Sequence, residues 1–306
     1  MKKQLLAILT TTALLAGCGS DTEHSVKDNG RVALQVSGGI NVQTRASNAA
    51  WTAGDQIGIY MFAAGMTTIA EGAKNIPYET KAVDGKFTPT SANIYFPVDG
   101  SNVDFHAWYP YKNVTEEGWT ADLSDQRSQA ALDLMTADAA SSAAEGGALY
   151  NKEQPNVKLN FKHRLTKLVL NITNGSGISA ADLKGLKVEI TRQWKTVLYD
   201  PDFDAIGFTE EPASITLLTN TDGTSAEVIL FPDNLTGKPI ATGRQLVFTL
   251  NATGEVFHWD IPGGKSFNAG DKNIYNITIN RTAIDVAGTI TDWNKGNEGG
   301  EAGEAE

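Results

Sequence analysis

The chain is 306 residues long and 41% hydrophobic, which is enough for folded cores in two domains of ordinary size. It has 25 basic and 36 acidic residues, a net charge of −11 at pH 7, and a chain of this sign repels phosphate backbones, which argues against nucleic acid as a partner. It contains a single cysteine, so an intrachain disulfide and a multi-cysteine metal site are both excluded.

Residues 1–17 have the layout of a bacterial lipoprotein signal peptide. Lys2 and Lys3 form a basic start, residues 5–15 form an apolar stretch, and the small residues Ala16 and Gly17 precede Cys18. A membrane-spanning helix would need about 20 apolar residues, and this stretch is shorter. We therefore predict that the signal is removed, that Cys18 carries the acyl groups, including palmitate, and that the rest of the chain is exported.

Residues 18–30 follow the predicted lipidation site. They are polar, rich in turn-forming residues and poor in apolar side chains that could pack. Such a composition predicts a flexible tether between the lipid anchor and the folded part of the chain.

From residue 31 onward the dominant pattern is alternation of apolar and polar side chains. Val157, Leu159 and Phe161, for example, alternate with polar residues, as expected of a half-buried antiparallel strand. Short strands at this spacing, bounded by Gly, Asn, Asp and Pro, predict an all-β fold of sandwich type. The predicted strands are 31–36, 56–62, 93–96, 103–109, 157–161, 168–172, 186–191, 226–231, 246–250, 255–260, 275–279 and 283–290.

Other segments predict a helix, a boundary and a tail. Residues 124–132 form one helix candidate, because Ser124 or Asp125 could cap a run of helix formers. The apolar phase slips by one at His163-Arg164, which predicts a bulge or tight turn there. Residues 137–147 are loop-like and Pro155 follows, so we predict domains at 31–155 and 156–293. Residues 294–306 are glycine-rich and acidic and predict a disordered tail.

Several segments, taken in their order along the chain, resemble the fimbrillin family, the type V pilins of Bacteroidetes. The resemblance spans Val26 to Trp293. The segments are Thr-Arg-Ala at 44–46, Trp-Thr-Ala-Gly-Asp-Gln-Ile-Gly-Ile-Tyr at 51–60, Phe-His-Ala-Trp-Tyr-Pro-Tyr at 105–111, Phe-Lys-His-Arg-Leu at 161–165, Phe-Asn-Ala-Gly at 267–270 leading into Tyr-Asn-Ile at 275–277, and Ile-Thr-Asp-Trp at 290–293.

The resemblance implies a fold and a function. The fold is two tandem transthyretin-like β-sandwich domains with Greek-key antiparallel sheets. The function is that of a structural subunit of an adhesive cell-surface fimbria, first exported as an outer-membrane lipoprotein. The acidic Asp21 and Glu23 beside Cys18 resemble the surface-export signal of Bacteroidetes lipoproteins, which agrees with this location.

Family behaviour further implies maturation by a trypsin-like surface protease. It cuts after an arginine near the N-terminus and removes the anchor with the first strand, and the vacated groove accepts a strand from the next subunit. Physically this is β-augmentation, in which the incoming strand satisfies exposed backbone groups and apolar pockets together. Other fimbrial subunits, the protease and the outer membrane are therefore the expected partners, with a host or bacterial surface glycan or protein as a further target of adhesion.

Two arginines are candidates for the cut. Cleavage between Arg45 and Ala46 would release the predicted first strand together with the tether. Cleavage after Arg31 would leave that strand attached, so we predict Arg45, with Arg31 as the alternative.

The family pattern places the donor strand near the C-terminus. Ile284, Val286 and Ile290 stand at alternate positions with Gly288 between them, and could fill successive pockets of an acceptor. The same alternation fits an intramolecular last strand of the second domain, because periodicity does not separate pairing within a chain from pairing between chains.

Other candidate sites in the sequence point to weaker hypotheses. Asp200, Asp202 and Asp204 partly match a calcium loop, but the sixth position is Ala205 where glycine is needed, and a solvated acidic turn is the alternative. The four histidines lack metal-ligand spacing, and no nucleophile or phosphate-binding motif is present, so we predict neither catalysis nor a cofactor. Six tryptophans leave open the alternative of a monomeric glycan-binding surface lipoprotein. The acidic extension after Trp293 leaves open a tip or accessory fimbrial adhesin, which accepts a strand but need not donate one.

Overall fold

A computed structural model describes residues 27–28, 30–40, 50–114, 118–144, 147–209, 211–235, 243–281, 284–292 and 301–305. The predicted signal peptide, Cys18 and most of the predicted tether lie outside these residues. Within the described ranges, no helix has the length and apolar character needed to cross a membrane.

The described residues up to His163 form ten strands. Apolar side chains alternate along most of them, so that every second residue faces a core. They are β1 (Lys27–Asp28), β2 (Arg31–Val32), β3 (Gln35–Ile40), β4 (Gln56–Ala63), β5 (Ile76–Thr80), β6 (Lys86–Pro89), β7 (Val103–Tyr109), β8 (Trp119–Asp122), β9 (Met135–Ala139) and β10 (Asn156–His163).

Twelve further strands lie in the described part of the chain after His163. They are β11 (Thr166–Asn174), β12 (Lys187–Gln193), β13 (Thr196–Asp200), β14 (Ala205–Thr209), β15 (Ala213–Thr216), β16 (Leu218–Thr219), β17 (Ser225–Leu230), β18 (Gln245–Thr249), β19 (Val256–Asp260), β20 (Asp271–Ile279), β21 (Ile284–Asp292) and β22 (Glu301–Ala305).

The N-terminal unit is a closed barrel with the strand order β10-β3-β6-β5-β4-β7-β9. Closure comes from β9, which pairs with β7 on one side and with β10 on the other. Ile57, Tyr78, Phe105 and Phe161 are among the apolar side chains that fill the barrel. The predicted sandwich is thus a closed sheet here, in which each strand has a paired neighbour on both sides.

The C-terminal unit contains two sheets that share one core. The larger has the order β16-β17-β11-β20-β21-β22 and the smaller β15-β12-β18-β19. Leu170 and Tyr275 of the larger sheet and Ile190 and Phe248 of the smaller belong to the same buried cluster. The two sheets therefore pack face to face, as in a sandwich.

A third sheet, with the order β14-β13-β8, joins the two units. Strand β8 lies between β7 and β9 in the sequence, yet it pairs antiparallel with β13 of the C-terminal unit. Trp119 and Tyr199, which face each other in this pairing, are both buried in the larger core cluster. The junction is consequently built from backbone hydrogen bonds as well as packed side chains.

The prediction of purely antiparallel sheets was wrong in two places. β3 pairs parallel with β10, and β11 pairs parallel with β20. The partners in each pair are far apart in the sequence, so no hairpin forces them to run in opposite directions, and the intervening chain is long enough for a crossover.

Several predicted elements shift at their edges. Residues 93–96 form no strand and contribute only a bridge between Ala33 and Tyr95. The predicted helix corresponds to a 3-10 turn at Gln126–Ser128 followed by α1 (Gln129–Leu132). Residues 137–139 of the predicted loop belong to β9. Short strands such as β5, β6, β13 and β14 were not predicted because at four or five residues they carry no long apolar alternation.

The structure can also be compared with the predicted domain boundary and with the predicted disordered tail. The predicted boundary between residues 155 and 156 falls just before β10, which pairs within the barrel. The tail was expected to be disordered, but its residues 301–305 form β22, antiparallel to β21. Pairing satisfies backbone groups along the edge of β21, a gain that the composition of the tail does not reveal.

Candidate functional site

The candidate site is the position occupied by β3, the first strand of the barrel. β3 lies between β10, with which it is parallel, and β6, with which it is antiparallel. Further backbone hydrogen bonds run from Leu34 N to Ile94 O at 2.8 Å and from Gln35 N to Pro155 O at 3.0 Å. The strand thus contributes to the barrel through backbone contacts on both of its edges.

The side chains of this segment alternate between the core and the solvent. Leu34 and Val36 are buried in the barrel core, and the buried Gly38 continues that face. Ile40 packs against the same cluster at the end of the strand, while Ser37 is exposed. The strand therefore places three apolar side chains against the barrel core, and its fourth core-facing position is Gly38, which has no side chain.

Aromatic rings surround the position without a side chain, and we call them the Gly38 cage (Trp51, Phe87 and Phe161). Trp51 is 4% exposed and packs edge-on against Phe87 and Phe161, with ring centroids 5.0 and 5.1 Å away. A Cβ added to Gly38 would lie 2.8 Å from Phe87 and 3.3 Å from Phe161. The cage consequently accepts only glycine unless its rings move.

The backbone of Gly38 is also fixed by hydrogen bonds. The indole Nε1 of Trp51 donates to the carbonyl oxygen of Gly38 at 2.7 Å, and Gly38 N donates to the carbonyl of Gly85 at 2.8 Å. An unpaired buried carbonyl is costly, so the indole specifies the place of this residue along the strand. Sequence reasoning missed the cage; Gly38-Gly39 inside an apolar strand was the signal that a close approach occurs there.

Loss of β3 would change the barrel in a defined way. Backbone donors and acceptors of β10 and β6 would lose their partners, and the core face now covered by Leu34 and Val36 would be open. Such a groove has the two properties that attract an extended strand, namely free backbone groups and apolar pockets at alternate positions.

Of the two candidate cleavage arginines, Arg31 belongs to the described residues and Arg45 does not. Arg31 lies in β2, forms an ion pair with Glu71, and places its guanidinium carbon 4.8 Å from the ring centre of Tyr95. Its side chain is 36% exposed. Arg45 and Ala46 lie outside the described residues, between β3 and the cage residue Trp51.

The candidate donor segment lies in β21. Its backbone pairs antiparallel with β20 of the same chain, with Ile284 opposite Ile279, Val286 opposite Ile277 and Ile290 opposite Asn273. In the single chain the segment therefore occupies the intramolecular position that the alternation also allowed.

A polar network connects the barrel to the C-terminal unit. His106 on β7 places Nδ1 2.7 Å from Asp138 on β9 and Nε2 2.8 Å from the Tyr199 hydroxyl on β13. The Tyr199 hydroxyl donates its proton to Asp204 at 3.1 Å, and Arg164 donates to the same carboxylate at 2.5 Å. Burial, reinforced by Asp204, raises the pKa of Tyr199, so the hydroxyl keeps its proton and can hold the two units together.

Asp138, the carboxylate at the barrel end of this network, should make the stability of the fold depend on pH. The hydrogen bond from His106 lowers the pKa of Asp138 below its ordinary value of 3.8. A carboxylate whose pKa is lower in the folded state than in the unfolded state stabilises the fold at pH values above the unfolded-state pKa. This stabilisation disappears as the pH falls through the lowered, folded-state pKa. Because the Asp138 side chain is 68% exposed, we expect Asp138→Asn to cost less than about 1 kcal/mol at neutral pH, and a smaller amount near pH 2.

Urea unfolding at both pH values measures this effect. Asp125→Asn is the matched control, since Arg127 lowers the pKa of Asp125 to about 2 in an exposed pair that spans only two residues. A loss for Asp138→Asn that stays the same at both pH values would rule out the ionised pair as its source.

The three aspartates of the calcium hypothesis are already partnered. Asp202 accepts from Lys74 at 2.5 Å, Asp204 from Arg164, and Asp200 from the backbone N of Asp202. Across the described residues, no group of three or more His, Cys, Asp or Glu side chains is arranged to hold a metal ion. The acidic turn instead fixes the β13–β14 hairpin to the barrel through cationic side chains.

The remaining candidates serve the fold. Four tryptophans are buried in cores and a fifth, Trp194, stacks on Phe208 with ring centroids 4.0 Å apart. His106 and His163 each contact an aspartate, and His258 is exposed on β19. No row of exposed tryptophans, such as a glycan platform would need, occurs in the described part of the chain. His24 and Trp293 lie outside it.

Comparison with known proteins gives consistent matches. The sequence model of a family described as "Fimbrillin-like" matches residues 44–293. A Bacteroides uniformis protein named "Putative fimbrium subunit Fim1C" is 38% identical over 316 residues, with both chains covered completely. A crystal structure of a "putative cell adhesion protein" from Bacteroides uniformis superposes with a TM-score of 0.72 at 35% identity, covering 86% of this chain and 99% of the other. Another, from Bacteroides ovatus, shares the fold, with a TM-score of 0.66 at 20% identity and coverage of 87% and 99%.

Proposed function

Because this chain belongs to the fimbrillin-like family, we propose that it is a structural subunit of a cell-surface fimbria that assembles by strand exchange and contributes to adhesion. Its relatives are fimbrial and adhesion proteins rather than enzymes. Association with other fimbrial subunits at the cell surface follows from membership of the family.

The proposal has four steps. The chain is exported as an outer-membrane lipoprotein anchored through Cys18. A trypsin-like surface protease cuts between Arg45 and Ala46. The released N-terminal piece takes β3 with it, and a C-terminal strand of the next subunit, containing Ile284, Val286 and Ile290, fills the groove. The two units are then a tandem pair of transthyretin-like domains, of which the barrel is the acceptor.

The position of β3 is the observation that carries this proposal. β3 is a short strand near the N-terminus with a partner on each edge and core-facing side chains, so its loss creates one continuous groove. A predicted cleavage arginine stands after this strand and before Trp51. One cut can therefore remove a complete element without breaking the rest of the barrel.

A protease assay tests the function. The purified full chain is treated with an arginine-specific protease at limiting concentration and run without boiling in detergent. We expect a ladder of multiples, because strands exchanged into a barrel resist detergent as part of a folded core. A single trimmed band that binds glycans would contradict the proposal and favour the monomeric lipoprotein. A single trimmed band that binds no glycan would indicate a tip or accessory subunit, which accepts a strand but need not donate one.

The lipid step has its own readout. Palmitate labelling of cells that express the chain should mark the precursor, and Cys18→Ser should abolish the label, because the chain has no other cysteine. Label on trimmed, assembled subunits would contradict removal of the anchor.

A further inference from the structure

A short pattern occurs twice in the chain, at its two ends. Val-x-Gly-x-Ile is found at residues 36–40 in β3 and at residues 286–290 in β21, and nowhere else in the 306 residues. When the alignment of the two segments is extended by two residues toward the N-terminus, Ile284 aligns with Leu34. Among the four core-facing positions 34, 36, 38 and 40, three are thus identical, and position 34 exchanges one branched aliphatic residue for another.

The glycine in this pattern restricts which strands can occupy the position of β3. A strand of the same apolar pattern with a side chain at the position of Gly38 would place its Cβ 2.8 Å from a ring of the cage. Phe87 and Phe161 are both buried, which leaves the rings no room to withdraw. The residue at this position must also present its carbonyl to the Trp51 indole. In the C-terminal segment, Gly288 has no side chain and could present its carbonyl to the indole. It also has an aliphatic residue two positions away on each side, Val286 and Ile290.

We propose that the C-terminal strand of a second copy of this chain replaces β3 in a single register, in which Gly288 enters the Gly38 cage. Ile284, Val286 and Ile290 then occupy the places of Leu34, Val36 and Ile40, and the incoming strand runs in the direction of β3. This inference rests on the proposed function and adds to it the register and the residue that determines it. The same rule selects partners, because a donor strand without glycine at this point does not fit.

Cross-linking tests the register. In β3, Gly39 lies opposite Asn160 of β10, and a Cβ on Gly39 would lie 3.8 Å from the Asn160 side chain. In the proposed register Thr289 takes this place, so Asn160→Cys with Thr289→Cys should form disulfides between subunits. Asn160→Cys with Ala287→Cys is the matched control, since it pairs only if the strand is shifted by two residues. Maturation removes Cys18, so the introduced cysteines are the only thiols in trimmed chains.

The outcomes separate the register from the function. Disulfide-linked multiples with the Thr289 pair alone are expected. A wild-type ladder with cross-links only in the Ala287 pair, or in neither pair, would overturn the register while leaving strand exchange intact. A wild-type chain that forms no ladder would overturn both.

Substitution of the glycine gives a second test. Gly288→Val should lower the yield of multimers by about tenfold or more, because overpacking of a filled core is costly. The control Thr289→Val faces solvent in the proposed register and should change the yield by less than about twofold. Normal ladders from Gly288→Val would contradict the inference.

A compensating change separates assembly from folding. Gly288 also pairs with Tyr275 within the single chain, so melting of uncut Gly288→Ala measures any damage to the monomer. Phe87→Leu removes ring atoms that would contact the added methyl. If Gly288→Ala melts normally but assembles poorly, the double variant with Phe87→Leu should recover multimers, and failure to recover would contradict a steric role of the cage.

Discussion

Replacing Arg45 by alanine is expected to abolish the multimers of the protease-treated chain, while Arg31→Ala leaves them unchanged. A cut after Arg31 separates the anchor but leaves residues 32–45 attached, and β3 then still fills its own groove. The guanidinium of Arg31 is also held by Glu71 and Tyr95, which limits its fit in a protease. A cut after Arg45 releases residues 32–45 together with the anchor, so β3 is free to leave the groove.

The measurement compares unboiled ladders of wild type, Arg31→Ala and Arg45→Ala after digestion with the same arginine-specific protease. Boiled samples of each, sized by mass spectrometry, report where each chain was cut. Ladders from Arg45→Ala that vanish in Arg31→Ala would reverse the assignment. Equal ladders from both single variants, and none from the double variant, would mean that either cut frees the groove.

Replacing Trp51 by alanine is expected to destabilise the uncut chain by about 3–5 kcal/mol. Trp51 is 4% exposed and packs against Phe87, Tyr109 and Phe161 at centroid distances of 5.0, 5.6 and 5.1 Å. Removing the indole leaves a cavity and an unpaired carbonyl on Gly38. Urea unfolding at neutral pH measures the loss.

Trp51→Phe serves as the matched control. It keeps a ring in the cage but removes the Nε1 donor, so its cost should be about 1–2 kcal/mol, the size of one lost buried hydrogen bond with some loss of packing. A loss below about 1 kcal/mol for Trp51→Ala would show that the cage does not support the barrel.

The sequence predicts much of the second unit and less of the first. The alternation in 168–172, 246–250 and 275–279 marks strands that correspond to β11, β18 and β20, because each of these strands buries one face. The phase slip at His163-Arg164 was interpreted as a local bulge or turn. It marks the place where the chain leaves the barrel strand β10 and enters β11 of the other unit, so the inward face changes because the core changes.

The remaining features depend on contacts between distant residues. Nothing in Met135–Ala139 indicates that β9 pairs with both β7 and β10 and so closes the barrel. The parallel pairing of β3 with β10 is also invisible to local patterns, since direction is set by the path of the long connection. At the site, the alternation of Leu34 and Val36 was readable, but the aromatic rings around Gly38 come from β6, β10 and the segment before β4.

The most direct test of strand exchange is the mass of the chains recovered by boiling the detergent-resistant ladder. Strand exchange predicts subunits that begin at Ala46, end with an intact C-terminal strand and contain no trace of residues 32–45. Assembled subunits that begin at residue 32 or earlier, and so retain β3, would contradict it.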